Sequence, residues 1–186
     1  MKNKKLLIII SAILAVVVVA VAVVIVAVGS KSNKYGAMVK SSAQSLTSVT
    51  TSLTISDKGQ TVYAYEESLV ITGADAEITK KTSKLNSSYE LSTSEQTSFV
   101  EGIDRNSILN FVFNKSYFSA QSYKNNILNL TVKGDKLAAF LGSEEVDCLG
   151  DATAVFTFEN ENLKTAEITY LTQSNKTVKI VVNCLY

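Results

Sequence analysis

Histidine, proline and tryptophan are missing from this 186-residue chain, and cysteine occurs only twice. Without histidine, the chain lacks the side chain that ordinarily titrates near neutral pH and that most often binds zinc or copper. A Ser-His-Asp or Cys-His catalytic arrangement is therefore excluded. Since no other convergent polar motif is present, we expect a protein that is not an enzyme and that carries no metal and no cofactor.

A surplus of charge of one sign is also missing. Lys2, Lys4 and Lys5 precede residue 6, and the remainder carries 15 basic against 17 acidic residues, a net charge of −2. A protein that binds nucleic acid needs a basic field on its surface. The sequence therefore predicts no nucleic-acid partner.

The chain does have one long apolar run. Residues 6–28 are 23 consecutive uncharged positions, of which Ser11 is the only polar one. As a helix this run would span roughly 30 Å, the thickness of the hydrocarbon core of a bilayer. We predict a cytoplasmic tail over 1–5, a transmembrane signal-anchor helix over 6–28 and a linker over 29–34. The lysines before the run keep the N-terminus in the cytoplasm and place residues 35–186 outside the cell membrane.

A cleaved signal peptide is the alternative interpretation of the same run. Ala27-Val28-Gly29 before Ser30 is typical of a small-x-small cleavage site, although the run exceeds the roughly 7–15 apolar residues usual for such a peptide. Cleavage after Gly29 would give a secreted protein. Both interpretations export residues 30–186.

The exported part is patterned as an α+β, mainly antiparallel β domain. Apolar residues recur at three- and four-residue steps from Tyr35 to Leu46, which predicts a helix. From Val49 the period changes to two, which is typical of a sheet with one buried and one solvated face. We expect a curved antiparallel sheet with one or two helices packed on it. The clearest strands are predicted at 49–55, 62–71, 128–132, 152–158, 166–170 and 178–184.

Other elements are less strongly patterned. Residues 104–113 predict a helix that opens at Asp104 and turns Ile108, Leu109 and Val112 inward. A second, shorter helix is predicted between its cap Asp135 and Gly142. Weaker strands are predicted at 76–78, 89–91 and 117–123.

Three segments carry a resemblance to a known group of proteins: the helix-to-strand passage 35–56, the stretch Leu-Thr-Val-Lys-Gly-Asp-Lys-Leu at 130–137 and the hairpin 152–171. With its exported N-terminus and long meander, the layout resembles the LolA/LppX-like bacterial lipoprotein carriers. The resemblance implies a curved sheet that wraps an apolar cavity able to hold an acyl chain. Unlike the lipoprotein members, this chain has no cysteine after its apolar run.

Cys148 and Cys184 are the two cysteines. Because export favours oxidation, we predict a disulfide between them. The alternative is a pair of reduced, buried thiols, since Cys184 falls on the apolar face of its predicted strand.

Two groups of carboxylates bear on possible chemistry. Glu66 and Glu67 are adjacent in a predicted strand and therefore point to opposite faces, so they cannot act together as the acid and base of a glycosidase. A β-bulge or an edge position explains them better. The acidic residues of loop 144–151 lack the central glycine of a calcium loop, so we interpret that loop as solvated.

Seven aromatic residues are the candidate lining of a ligand site, although such residues can equally fill a core. They are Tyr63, Tyr65, Phe111, Phe118, Phe156, Phe158 and Tyr170. The resulting hypothesis is a membrane-anchored extracytoplasmic binding protein that holds a lipid-like or apolar ligand in a curved sheet. The alternative is a structural or protein-interaction module of the bacterial cell envelope that has no small-molecule ligand.

Overall fold

The computed structural model describes residues 34–86 and 90–186. The predicted cytoplasmic tail and transmembrane helix lie outside the described residues. No helix within those two ranges is long and apolar enough to cross a membrane. The first described residue, Lys34, already belongs to helix α1, although the linker was predicted to include it.

The described residues form nine β-strands and two short α-helices, in agreement with the predicted mainly antiparallel β class. Three single 3-10 turns lie between them, at Arg105–Ser107, Lys115–Tyr117 and Gly134–Lys136. In chain order the elements are α1 (Lys34–Gln44), β1 (Ser48–Asp57), β2 (Gln60–Thr72), β3 (Asp75–Leu85), β4 (Leu91–Val100), β5 (Phe118–Lys124), β6 (Ile127–Val132), α2 (Leu137–Phe140), β7 (Ala152–Glu159), β8 (Asn162–Leu171) and β9 (Thr177–Leu185).

All nine strands belong to one curved, open antiparallel sheet with the order β4-β3-β2-β1-β9-β8-β7-β6-β5. The first and last strands pair at its centre, where Val49 lies opposite Cys184. The edges are therefore β4 and β5, which are consecutive in the chain. Residues 101–117 connect the two edges, and we call this connection the crossover.

Tight turns with left-handed backbone join several neighbouring strands. The central residues Lys58 and Gly59 have φ of 49° and 82°, and Asn125 and Asn126 have φ of 52° and 62°. Positive φ at both central positions is the type I′ arrangement, whose twist matches that of the flanking strands. Asparagine and glycine adopt this left-handed conformation at low energetic cost, so their positions in the sequence favour turns at these points.

Helix α1 packs its apolar stripe on one face of the sheet, which we call the inner face. Val39 and Ala43 are buried there, as the three- and four-residue spacing predicted. The crossover lies on the same side and is tied down by Arg105. Its guanidinium donates hydrogen bonds to the carbonyl oxygens of Leu46 (2.7 Å) and Gly73 (3.2 Å), next to β1 and in the β2–β3 turn.

The helix predicted over 104–113 is wrong. Asp104 does cap a turn, because its carboxylate accepts from the Asn106 N–H at 3.0 Å, but helical geometry ends after a single 3-10 turn. Beyond it the chain has no regular secondary structure and buries Leu109 and Phe113, while Val112 is exposed rather than inward. A period of two, not of three or four, therefore governs this segment.

The short helix after residue 133 is confirmed, but its cap is wrong. Asp135 lies inside the 3-10 turn, and its carboxylate pairs with the Lys136 ammonium at 2.8 Å instead of capping the helix. Leu137 and Phe140 are fully buried, and Gly142 ends the helix at φ +65°. The apolar spacing therefore predicted the buried face of this helix correctly, but the sequence did not predict that Asp135 would leave the helix uncapped.

Strands β3 and β4 are much longer than the short segments predicted at 76–78 and 89–91. Their sequences are rich in Ser, Thr and Lys, so little apolar alternation marks them. Backbone pairing with unbroken register, from Ala76 opposite Val100 to Leu85 opposite Leu91, defines them instead.

Candidate functional site

The seven aromatic candidates do not share one site. Phe111, Phe118 and Phe156 come together with Phe113 and Phe140, with ring centroids 5.2–6.3 Å apart. Such separations are typical of edge-to-face and tilted ring pairs. Phe113, Phe140 and Phe156 are buried in the core, and the partly buried Phe111 and Phe118 pack against it.

Phe158 and Tyr170 lie elsewhere. The ring centroid of Phe158 lies 6.4 Å from that of Tyr123, on the β5 side of the sheet. Tyr170 is buried near the end of β8, where burial raises the pKa of its phenol and the nearby Cys148 and Asp147 raise it further. These two residues are therefore part of separate surroundings.

Tyr63 and Tyr65 form the middle of a third region on the inner face of β1–β3. They are 3% and 5% exposed. On β1, Ile55 lies opposite Tyr63 and Leu53 lies opposite Tyr65, whereas on β3 the opposite residues are Lys84 and Thr82. The surface thus changes from apolar at β1 to polar and cationic at β3, and we call it the inner wall.

A buried carboxylate interrupts the inner wall at Glu67, which is 6% exposed. It accepts a hydrogen bond of 2.5 Å from the Tyr65 hydroxyl and lies 3.5 Å from the Lys80 ammonium. Burial raises the pKa of Tyr65, and the hydrogen bond to Glu67 raises it further, so Tyr65 stays protonated and donates. We call these three residues the Glu67 cluster.

Glu66 is exposed on the other face, so the prediction that the two glutamates point apart is confirmed. Their explanation by a β-bulge or an edge position is wrong. Both lie in regular register in an interior strand, with Glu67 between Thr51 of β1 and Lys80 of β3. What keeps Glu67 inside is its pairing with Tyr65 and Lys80, because a buried charge needs a partner.

A signal for the Glu67 cluster was present in the sequence. Tyr63, Tyr65, Leu69 and Ile71 recur with a period of two in the predicted strand 62–71, and the same period places Glu67 on their face. Lys80 was not predictable in this way, because only the register of the β2–β3 hairpin brings it opposite Glu67.

The predicted disulfide is not formed, since both thiols are free. The Cys148 carbonyl accepts from Gln173 beyond the end of β8, whereas Cys184 lies at the far end of β9, opposite Val49. Thr177, where β9 begins, is seven residues from Cys184, or about 23 Å along the strand. A disulfide needs Cα atoms within about 7 Å.

The acidic loop 144–151 is used partly for structure. Asp147 accepts from the Gln173 N–H at 3.1 Å, and Asp151 accepts from the Ser119 hydroxyl at 2.9 Å. Among the residues the structure describes, no three His, Cys, Asp or Glu side chains are grouped to hold a metal ion.

A pocket of about 410 Å³ lies beside the β7–β8 turn and the C-terminus. Of the predicted site residues only Cys184 borders it. Burial raises the pKa of that thiol to about 11, which leaves it protonated and unreactive near neutral pH. The pocket is lined by Glu159, Asn160, Asn162, Lys164, Cys184, Leu185 and Tyr186.

Comparison of the chain with protein-family models and with curated proteins finds no match.

Proposed function

We propose that this chain is a membrane-anchored, extracytoplasmic binding module that holds an anionic, lipid-like ligand against the inner wall. Residues 6–28 are the proposed anchor. The observation that carries the proposal is the Glu67 cluster: a buried carboxylate paired with the partly exposed Lys80, at the border between the apolar residues of β1 and β2 and the polar side of β3. Ligand sites are typically apolar surfaces with a few placed polar groups that fix the ligand's orientation.

The apolar side of the inner wall suits an acyl chain. Leu53, Ile55, Tyr63 and Tyr65 form a continuous patch across β1 and β2. All four are buried, so an acyl chain would contact them by replacing the side chains that now cover them. Each methylene that leaves water contributes about 0.8 kcal/mol, so eight methylenes contribute about 6 kcal/mol. That gain is of the size needed to offset the cost of association and still give measurable binding.

The cationic side of the inner wall suits the head group. Lys80 and Lys84 lie on the same face of β3, and Glu67 balances one of these two charges. The remaining positive charge favours a carboxylate or phosphate head group over a neutral one. The hydrogen bond from Tyr65 fixes the position of the Glu67 carboxylate. That carboxylate in turn positions the Lys80 ammonium beside the apolar patch.

Binding of a fluorescent fatty acid to the full-length protein, kept in an amphipathic polymer, tests this proposal. We expect saturable binding that is displaced by unlabelled fatty acid and at least about fivefold less well by the fatty alcohol of equal length. Lys80→Met should weaken binding at least about fivefold. The matched control is Lys81→Met, because Lys81 is exposed on the opposite face of the same strand, opposite Glu66.

Signal that cannot be displaced, or equal affinity for the acid and the alcohol, would count against an anionic ligand. Equal losses in the two lysine variants would show that the inner wall is not the binding surface.

A further inference from the structure

The two edges of the sheet are built differently. Strand β5 has seven residues, and its register with β6 shifts between Phe118 and Ala120, so that Ser119 bulges and bonds to Asp151. Bulges of this kind blunt an edge against pairing with another chain. Strand β4 has ten residues in unbroken register with β3, and Glu95 is its single charge. It carries neither a bulge nor an edge lysine.

All ten residues of β4 are exposed, on both faces of the strand. Apolar side chains lie at its two ends, where Leu91 is 51% exposed and Phe99 is 77% exposed. A long, regular and exposed edge strand is a template for pairing with another strand.

The hairpin that precedes β4 shows which of its backbone groups are free. The Asn86 N–H donates to the Glu90 carbonyl oxygen at 2.8 Å, which marks that position as a hydrogen-bonded pair. Hydrogen-bonded and non-hydrogen-bonded pairs alternate along an antiparallel ladder. The even-numbered residues of β4 therefore bond to β3, and the odd-numbered ones direct their N–H and C=O groups to the free edge. These are Leu91, Thr93, Glu95, Thr97 and Phe99.

We propose that β4 pairs antiparallel with β4 of a second copy of this chain, so that one sheet runs continuously through a two-fold dimer. Symmetry then requires odd-numbered residues to pair with odd-numbered ones. A register centred on Glu95 places two carboxylates directly opposite each other, which is destabilising. A register centred on Gln96 places Glu95 opposite Thr97 and Thr93 opposite Phe99, with no like charges opposed.

The register centred on Gln96 pairs most of the length of β4. Four odd-numbered residues of each strand exchange hydrogen bonds with the other copy, and the exposed Phe99 ring is covered by the partner strand. A register centred on Ser94 also separates the carboxylates, but it leaves Phe99 outside the paired region. The second copy is thus the partner for which β4 is complementary along most of its length.

A charge exchange at Thr97 tests the dimer. In full-length protein in detergent micelles, Thr97→Glu places a carboxylate opposite Glu95 of the second copy and should weaken dimerisation at least about fivefold. Thr97→Lys places an ammonium there and should preserve or tighten it. Sedimentation equilibrium at low salt measures both dissociation constants. A wild-type protein that is monomeric at every concentration overturns the proposal, as does an equal effect of the two substitutions.

The register is tested separately by oxidation of single cysteines in a Cys148→Ala, Cys184→Ala background. Gln96→Cys should form a disulfide-linked dimer, because residue 96 faces its own copy in a non-hydrogen-bonded pair with Cα atoms about 4.5 Å apart. Ser92→Cys lies opposite Val100 of the second copy and should remain monomeric. Cross-linking that is equal at the two positions, or that occurs only at residue 92, overturns the assigned pairing.

Discussion

Replacing Ser42 by alanine should destabilise the fold by about 0.5–2.5 kcal/mol. Ser42 is fully buried in α1, and its hydroxyl makes two hydrogen bonds. It donates to the Met38 carbonyl oxygen at 2.8 Å and accepts from the Leu163 N–H at 2.8 Å. The second bond ties the helix to β8 across the inner face of the sheet.

The magnitude follows from what the substitution leaves behind. Leu163 is 0% exposed, so no solvent can replace the lost acceptor of its N–H. An unsatisfied buried donor costs about 1–3 kcal/mol, and the better helix propensity of alanine offsets about 0.5 kcal/mol. The Tyr186 hydroxyl, which borders Ser42, donates to the Leu163 carbonyl oxygen at 2.7 Å, a bond that does not involve the serine.

The neighbouring residue provides the control. Ser41 also donates to the Met38 carbonyl oxygen, at 2.9 Å, but it is exposed and faces away from the sheet. Ser41→Ala should change the free energy of unfolding by no more than about 0.5 kcal/mol. Urea unfolding of the full-length variants in detergent, followed by far-ultraviolet circular dichroism, measures the difference. Two variants of equal stability would refute the idea that this hydroxyl joins helix to sheet.

Three further substitutions probe other parts of the fold. Phe140→Ala should lower the free energy of unfolding in urea by about 3–5 kcal/mol, because it empties the centre of the aromatic core. The control Val70→Ala, at a half-exposed site, should lower it by less than about 1 kcal/mol. Similar losses in the two variants would contradict the packing. Glu67→Ala should lower the free energy of unfolding by about 1–3 kcal/mol, because it leaves Tyr65 and Lys80 without their partner. Glu66→Ala, at an exposed site, should lower it by about 0.5 kcal/mol or less. The reverse order would exclude the buried pair. Burial raises the pKa of Cys184 to about 11, so the unfolded chain loses that thiol proton first, near pH 9. Stability should therefore be complete below pH 9 and fall by up to about 2 kcal/mol towards pH 11, and Cys184→Ala should flatten that decline.

The part of the fold that the sequence predicted well is the part with clean alternation. Strands β7, β8 and β9 bury every second residue, as in Ala154, Phe156 and Phe158. Period and turn signals located both ends of β7 and β9 within one residue, whereas β8 begins four residues earlier than predicted. The crossover failed because Ile108, Leu109 and Val112 fit a helical spacing by chance, while Leu109, Phe111 and Phe113 fit an extended one. Only packing against the folded sheet determines which of these two spacings the crossover adopts.

Long-range pairing explains what remained hidden. No local pattern indicates that β1 pairs with β9, and hence that β4 and β5 become the edges. The same pairing separates aromatic residues that look alike in the sequence: Phe156 packs among the core phenylalanines, whereas Tyr63, also buried, lies opposite Lys84 on the inner wall. The Glu67 cluster arises from hairpin register, which places Lys80 opposite Glu67.

The most direct measurement is photochemical labelling of the full-length protein with a fatty acid that carries a diazirine near its carboxylate, followed by peptide mass spectrometry. We predict that the adducts fall on β2 and β3, around Tyr65 and Lys80, and that excess unlabelled fatty acid abolishes them. Adducts spread over the outer surface, or labelling that the competitor leaves unchanged, would contradict a ligand held on the inner wall.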